Sequence, residues 1–442
     1  MTYFKEPPES DNSHLRVFED HSEYHKGSGD IEVFTEGILS NDARKRVVGI
    51  KEAFESGFLE VVISGLKKGN LKVNIDNISA DARKSVDGLV VSVTSEVGRA
   101  LIGLSVMQLC IKAISPEQNI RLHKGGTGRN SFSWAEGVSM RTLDKKFVTP
   151  TLRRHDLLRL NADGFMMTRS LAENYPYTRL YKAQLRGARV EWLSLVEELQ
   201  NGATNPLETL KYMIAKLINA ASYFSERANV LLQTVEQQVH KIQNRDAVRK
   251  LMAKHADSSS YAARLLEVSM HALMFSAVSS GVFGAVVIAP LSQMRSANKK
   301  HKNIGDIELL EDGEIIESWD AKYGKGYLRE EIEEAVEKLS SHNEIQRVGF
   351  VTTVPIERTE EITSRLSEIQ PDYGVSFKLL HFDEWVDDIF DKCVGGNFKS
   401  ERDLAKSWLR TYSNYLAQQM REIAPIDEPC LDWVESLTRE LT

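Results

Sequence analysis

The chain has 442 residues, 42% of them hydrophobic and 27% charged, with a formal net charge of −7. That composition belongs to a folded globular protein with enough apolar content for two or three cores, and it excludes a chain disordered throughout. Cys110, Cys393 and Cys430 stand far apart with no C-x-x-C spacing, which excludes a disulfide framework and a paired-cysteine zinc site and makes the cytoplasm the expected compartment.

Residues 1–40 are polar and carry neither the basic nor the apolar region of a secretory signal, so a flexible lead-in is expected there. From 41 to 190 a mixed α/β region is expected. "NDARKRVVGIKEAFESGFLEVVISGLKKG" and "EVGRALIGLSVMQLCIKAI" have helical spacing, while "NLKVNID" and "DGLVVSVTS" read as strands. Residues 119–190 then bring glycines, arginines and aromatics into a loop-rich module.

Charge is concentrated in that module. Residues 121–190 hold 14 Lys and Arg against 5 Asp and Glu, a surplus of nine positive charges that leaves −16 for the remainder of the chain. A basic surface on an acidic body is the footprint of a protein that grips phosphates in one place. Gly125, Gly126 and Gly128 allow close approach to a phosphate, but no G-K-[ST] follows them, so a P-loop is not indicated. Arg121, Lys124, Arg129, Arg153, Arg154, Arg169, Arg179, Lys182 and Arg186 are the candidate DNA contacts. Arginine reads guanine bidentately and the remaining cations meet phosphates; for each one a surface salt bridge is the competing role. His123 and His155 are isolated and are expected to be structural or surface groups.

Residues 191–255 predict a helical spine. The segment 272–291, "ALMFSAVSSGVFGAVVIAPL", is uncharged over a membrane-spanning length, yet its serines, glycines and proline favour a buried helix followed by a turn, and no membrane partner is expected. The serines at 258–260 are placed to cap that helix. Beyond it come a hairpin, a helix at "YLREEIEEAVEKLSSH", a strand at "RVGFVTTV", a helix at "RTEEITSRLSEI" and a strand running into a helix at "VSFKLLHFDEWVDDIF". This order describes a compact α/β domain over 256–395, followed by C-terminal helices over 396–442.

The hairpin "NIGDIELLEDGEIIESWDAKYG" carries the chemistry. With Glu311-Asp312-Gly313 as a three-residue loop, Leu310 pairs with Glu314 and Asp306 lies opposite Ser318, diagonal to Asp320. Asp306, Glu308, Asp320 and Lys322 then share one face; Ile307, Leu309, Ile315, Trp319, Ala321 and Tyr323 take the other. A two-residue loop at Asp312-Gly313 would put Asp306 and Asp320 on opposite faces. Two close carboxylates repel unless a cation stands between them, and hard oxygen ligands with few protein contacts suit Mg²⁺. The competing role is a solvated strand with a salt bridge, and the acidic run "REEIEEAVEK" reads as a solvated helix face.

"GD" and, after thirteen intervening residues, "DAK" together resemble the motif of the PD-(D/E)-x-K nuclease superfamily, with Gly305 where proline often stands. The resemblance covers 256–395. It implies a restriction-endonuclease-like core, a mixed β-sheet flanked by helices, beneath a larger, mostly helical mixed N-terminal DNA-recognition region. It maps metal-binding aspartates to Asp306 and Asp320, the catalytic lysine to Lys322, and the glutamate of the helix before the hairpin to Glu267 in "RLLEVSMHAL". On that helix, Arg264 and His271 are the alternative partners of Glu267. The implied activity is Mg²⁺-dependent, sequence-specific cleavage of double-stranded DNA, as in a type II restriction enzyme acting as a homodimer alongside a DNA methyltransferase. The alternatives are a repair or phage-defence nuclease with the same core, or a sequence-specific DNA-binding protein without catalysis.

Overall fold

Short polar side chains start five of the described α-helices. Ser40, Ser79, Ser95, Asn244 and Ser400 sit in extended backbone, and the side-chain oxygen of each accepts a backbone N–H three residues on. The computed structural model describes residues 13–125, 132–160, 163–167, 169–183, 185, 187–291, 303–342, 344–393, 400–419 and 429–442. The chain divides into two units, Met1–Ser222 and Tyr223–Thr442.

The first unit corrects the expected lead-in. Strands β1 (His14–Val17), β2 (His21–His25) and β3 (Ile31–Thr35) form an antiparallel sheet in sequence order. Tyr24 on β2 and Phe34 on β3 are buried in one cluster with Leu122 and Trp134. Apolar residues alternate there with His and Glu, a period of two too short to stand out in a polar stretch.

Residues 41–114 of this unit are mainly helical, and the described part of 119–188 is loop-rich as expected. Helices α1 (Asn41–Glu55), α2 (Phe58–Lys67), α3 (Ala80–Val91) and α4 (Glu96–Ile114) replace the expected α/β mixture. "NLKVNID" is irregular and ends in a single tight turn, Ile75–Asn77. "DGLVVSVTS" lies mostly in α3, because Ser79 caps a helix whose buried residues Ala82, Ser85, Val86 and Leu89 recur at helical spacing. Two short helices follow, α5 (Met140–Leu143) and α6 (Thr149–Arg154), and then α7 (Arg189–Gln200). Helix α4 is the core of the unit. Val97–Ile114 is long and apolar enough to cross a membrane, yet 83% of it is buried inside the protein. Its Gln108 accepts from the Trp192 indole of α7 at 2.9 Å.

Helix α8 (Pro206–Gln238) contains the boundary between the units, and the second unit continues with α9 (Arg245–Asp257) and α10 (Ala262–Ser279). The serines at 258–260 do not cap α10; Tyr261 precedes it in the left-handed region at φ 62° and makes no side-chain cap. As expected, α10 is buried on nearly all sides and ends before a turn, so 272–291 is a core helix, a turn and the short strand β4 (Val287–Ile288).

The main sheet has five strands in the order β4-β5-β6-β7-β8, with β5 at Ile307–Glu311, β6 at Glu314–Lys322, β7 at Arg347–Thr352 and β8 at Ser376–His381. Strands β4, β5 and β6 run antiparallel, whereas β6, β7 and β8 are parallel. The parallel strands require crossovers, which α11 (Arg329–Leu339) and α12 (Thr359–Tyr373) supply. Their residues Leu339 and Leu366 pack with Val348 and Phe350 on one face of the sheet. On the other face, Ile307, Leu309, Trp319 and Val351 join α10, α13 (Phe382–Cys393), α14 (Glu401–Asn414) and α15 (Cys430–Leu441). Gly349 of β7 gives the Trp319 ring its place, since an added Cβ there would run into the indole.

Candidate active site

The hairpin differs from the expected one and still brings the same residues together. Its loop has two residues, Asp312 at φ 51° and Gly313 at φ 89°, with Glu311 paired to Glu314. That is the left-handed two-residue turn favoured by Asp-Gly in hairpins. Alone it would separate the aspartates. A bulge restores them: Leu310 pairs with Ile315 but Leu309 pairs with Glu317, so Ile316 is an extra residue. From there on Asp306 and Asp320 lie on the same side, and Ile315 moves across to the core beneath α11 and α12 while Ile316 takes its place with α10.

Asp306 stands just before β5. Its N–H donates to the Trp319 carbonyl at 3.0 Å, and its Oδ2 accepts from the Ala321 N–H at 2.9 Å. The Asp306 and Asp320 carboxyls hydrogen-bond to each other. Lys322 Nζ lies 2.7 Å from Asp320 Oδ2. Burial, joined by the field of Asp306, pushes Asp320 up to about 7. Burial and the field of Glu267 also raise Asp306 above the usual carboxylate range. Burial would lower Lys322, but Asp320 and Asp306 outweigh it and hold the ammonium above its ordinary value. The pair is thus built to hold a proton or a cation between two carboxylates.

Glu267 is buried in α10 and forms an ion pair with Arg264. Its field nevertheless reaches Asp306. His271 does not pair with it; its ring nitrogens meet Tyr415 Oη at 3.0 Å and the Ala289 carbonyl at 2.9 Å. Glu308 is buried and accepts from the Ile304 N–H at 2.7 Å, anchoring the segment that delivers Asp306. Glu317 accepts from the Trp319 indole at 2.7 Å and from Arg347 at 2.8 Å, away from the pair's chemistry. Gly305 comes so close to β6 that an added Cβ would meet Ser318 Oγ at 2.5 Å. Any other residue at that position, proline included, would displace β6.

Helix α11 supplies a part that sequence reasoning missed. A cavity of about 30 Å³, roughly the share of one water, is lined by Ser318, Asp320, Lys322, Glu331, Glu334 and Lys338. Ser318 Oγ and Glu331 Oε2 are buried there without a hydrogen-bond partner among the described residues. The other Glu331 oxygen pairs with Lys325. The run 329–338 is therefore not wholly solvated: Ile332, Ala335 and Leu339 dock it on the sheet, and Glu331 and Lys338 flank that stripe. The flanking position was the available signal.

Among the described residues no three of His, Cys, Asp and Glu gather closely enough to hold an ion by themselves. Two adjacent, half-buried carboxylates fit Mg²⁺, which keeps its waters and binds through one or two carboxylates plus substrate phosphates.

The nominated basic residues disperse. Arg121 is fully buried, donates to the Tyr177 carbonyl at 2.9 Å and pairs with Glu197 at 2.6 Å, so it is a core cation rather than a DNA contact. Arg153 donates to the Leu160 carbonyl. Arg154 pairs with Glu60 at 3.4 Å, and His155, expected to be isolated, meets the same carboxylate at 2.5 Å. Lys124 stands over the Phe132 ring and Lys182 over the Tyr175 ring. Arg179 is exposed. Arg129, Arg186 and the side chain of Arg169 lie outside the described residues. Burial pushes His123 down to about 4, which leaves it a neutral interior group.

No protein-family model matches the chain, and no curated protein sequence is similar to it.

Proposed function

We propose that the chain is a Mg²⁺-dependent endonuclease of double-stranded DNA, built on a restriction-endonuclease-like core and acting sequence-specifically as a homodimer in partnership with a DNA methyltransferase. The observation that carries this reading is the half-buried Asp306–Asp320 pair with Lys322 beside it, on a hairpin that continues into parallel strands. Two like charges side by side and partly out of water are costly, and a fold that keeps them adjacent has a use for the cation that would relieve them.

Asp306 and Asp320 hold the ion. Bound Mg²⁺ would supply Lewis acidity at the scissile phosphate. Lys322 orients the attacking water for in-line displacement and offsets charge developing on the phosphate. Glu267, through its field on Asp306, assists at one remove. Cutting both strands calls for two such sites, and a two-fold dimer supplies them.

The test is incubation of the purified protein with plasmid and phage DNA in Mg²⁺ or EDTA, beside the Lys322→Ala variant. Discrete fragments that require Mg²⁺ and vanish with the variant are expected. Intact DNA under every condition, with salt-sensitive binding retained, would overturn the hydrolytic assignment and leave a DNA-binding protein.

A further inference from the structure

The basic window of the first unit surrounds an open cavity of about 570 Å³. That size falls within the ~300–1,000 Å³ typical of small-molecule sites. Its walls are chemically mixed. Phe132 and Tyr175 bring rings, Arg141 and Lys182 cations, Asn174 an amide, and Glu36 and Glu173 carboxyls. Burial and the neighbouring Asp20 hold the Glu36 carboxyl above its ordinary range.

Each of these groups answers to one part of a nucleotide. Aromatic rings stack on base faces whatever the base. Lys182 Nζ stands over the Tyr175 ring, 5.3 Å from its centroid, and Lys124 Nζ over the Phe132 ring at 5.6 Å, so a base stacking on that face takes the place of a cation and frees the ammonium for its phosphate. Arg141 and Lys182 are exposed, and neither has an ion pair among the described residues. An amide and a carboxyl offer the donors and acceptors that a base edge requires. A lipid or a simple phosphate would use the cations and leave the rings and the carboxyls without a role.

We infer that this cavity holds one unstacked nucleotide of a DNA strand, with its base against Phe132 and Tyr175 and its phosphate on Arg141 and Lys182. A paired base hides both faces in the stack, so the nucleotide taken is unpaired or extruded from the duplex. The inference shares with the proposed function the premise that this chain handles DNA. A free mononucleotide has the same chemistry, and the experiment separates the two sources.

The full chain carrying Lys322→Ala is titrated in EDTA, so that binding is read without cleavage. The ligands are a labelled duplex with one unpaired nucleotide and the same duplex with an abasic sugar at that place. The base-containing duplex is expected to bind about tenfold more tightly, the scale of one base stacked on an aromatic side chain. Tyr175→Ala should erase that preference. Because Phe132 and Tyr175 also pack against the interior, the exposed-site variants Lys182→Glu and Arg141→Glu provide the control for folding, and each should weaken binding of the unpaired duplex. Equal affinity for the base-containing and abasic duplexes overturns the inference. So does displacement of the duplex by micromolar mononucleotide, which would make free nucleotide the ligand. Failure of the unaltered chain to cut DNA in Mg²⁺ would instead sink the nuclease reading, and the binding comparison would still decide this one.

Discussion

Arg121 in the first unit is taken fully out of water and the Asp306–Asp320 pair in the second only partly, and their surroundings differ as well. Arg121 meets Glu197 at 2.6 Å, Glu32 at 3.4 Å and the Tyr177 carbonyl at 2.9 Å. Burial alone would raise Glu197, but Arg121 outweighs it and keeps the carboxyl below its usual range. Opposite charges there answer each other. In the second unit two carboxyls face each other with a single lysine against Asp320, and both are driven upward. A buried cation that faces carboxylates holds a fold together, even with its Nε left without a hydrogen bond; a pair of like charges side by side gains from the cation proposed above.

The difference can be broken from either side. Asp306→Asn keeps an acceptor for the Ala321 N–H while removing one of the two like charges. Cleavage should fall by at least on the order of 10²–10³-fold, the scale of losing one preorganised electrostatic contact. The melting temperature in EDTA at pH 8 should rise. A fall in melting temperature would place the pair in the same class as Arg121. The converse change, Arg121→Met, leaves Glu32 and Glu197 with Lys26 alone, at 3.7 and 3.8 Å, and should cost about 3 kcal/mol in urea unfolding, the lower end for a broken buried pair. Cleavage per folded molecule should not change. Lost cleavage in a fully folded variant would return Arg121 to the DNA-contacting surface.

Protons sharpen the comparison. Asp320 titrates at about 7 in the folded, metal-free protein, against an ordinary value of 3.8. Its folded pKa is raised, so its contribution to stability is complete below the ordinary value and is lost as pH climbs through about 7. A cation must displace that proton. Mg²⁺ affinity should therefore drop by up to about tenfold per pH unit below about 7 and level off above it. Calorimetric titration at pH 6 in two buffers of different ionisation enthalpy should show about one proton released per ion. Binding without proton release would mean that the ion sits elsewhere.

Much of the second unit was legible because its signals are local. The apolar α10, the alternating strands and the D-x-K spacing each lie within one element, and together they located Asp306, Asp320, Lys322 and Glu267. The bulge at Ile316 was not legible: nothing in "EIIES" distinguishes an extra residue from a regular strand, since either isoleucine suits either core. Two errors, the loop length and the missing bulge, cancelled in the face that the aspartates take but not in their register: Glu308 rather than Asp306 stands opposite Ser318, and Ile315 faces the other core. Arg121 was misjudged for a related reason. Its partners Glu32 and Glu197 come from β3 and α7, and a lone sequence does not say which acidic residues converge on a cation. The α3 stretch misled because β-branched residues argued for a strand while capping and helical spacing decided otherwise.

The hairpin yields the smallest effect and asks what holds the like charges together. Gly313 occupies φ 89° with open space around it, so Gly313→Ala strains only the backbone and should cost about 1 kcal/mol. If the turn fixed the register, that strain would reach the aspartates. Several other restraints act on the register. On β6, Asp320 is paired with Phe350 and Lys322 with Thr352 along the parallel ladder, and the Asp306 N–H is bonded to Trp319. These bonds lie on the far side of the bulge from the turn, and Trp319 is anchored in the core over Gly349. Gly313→Ala should therefore lower the melting temperature by a few degrees while cleavage and Mg²⁺ affinity stay within twofold. A parallel loss of cleavage would show that the turn, rather than the ladder with β7, keeps Asp306 against Asp320.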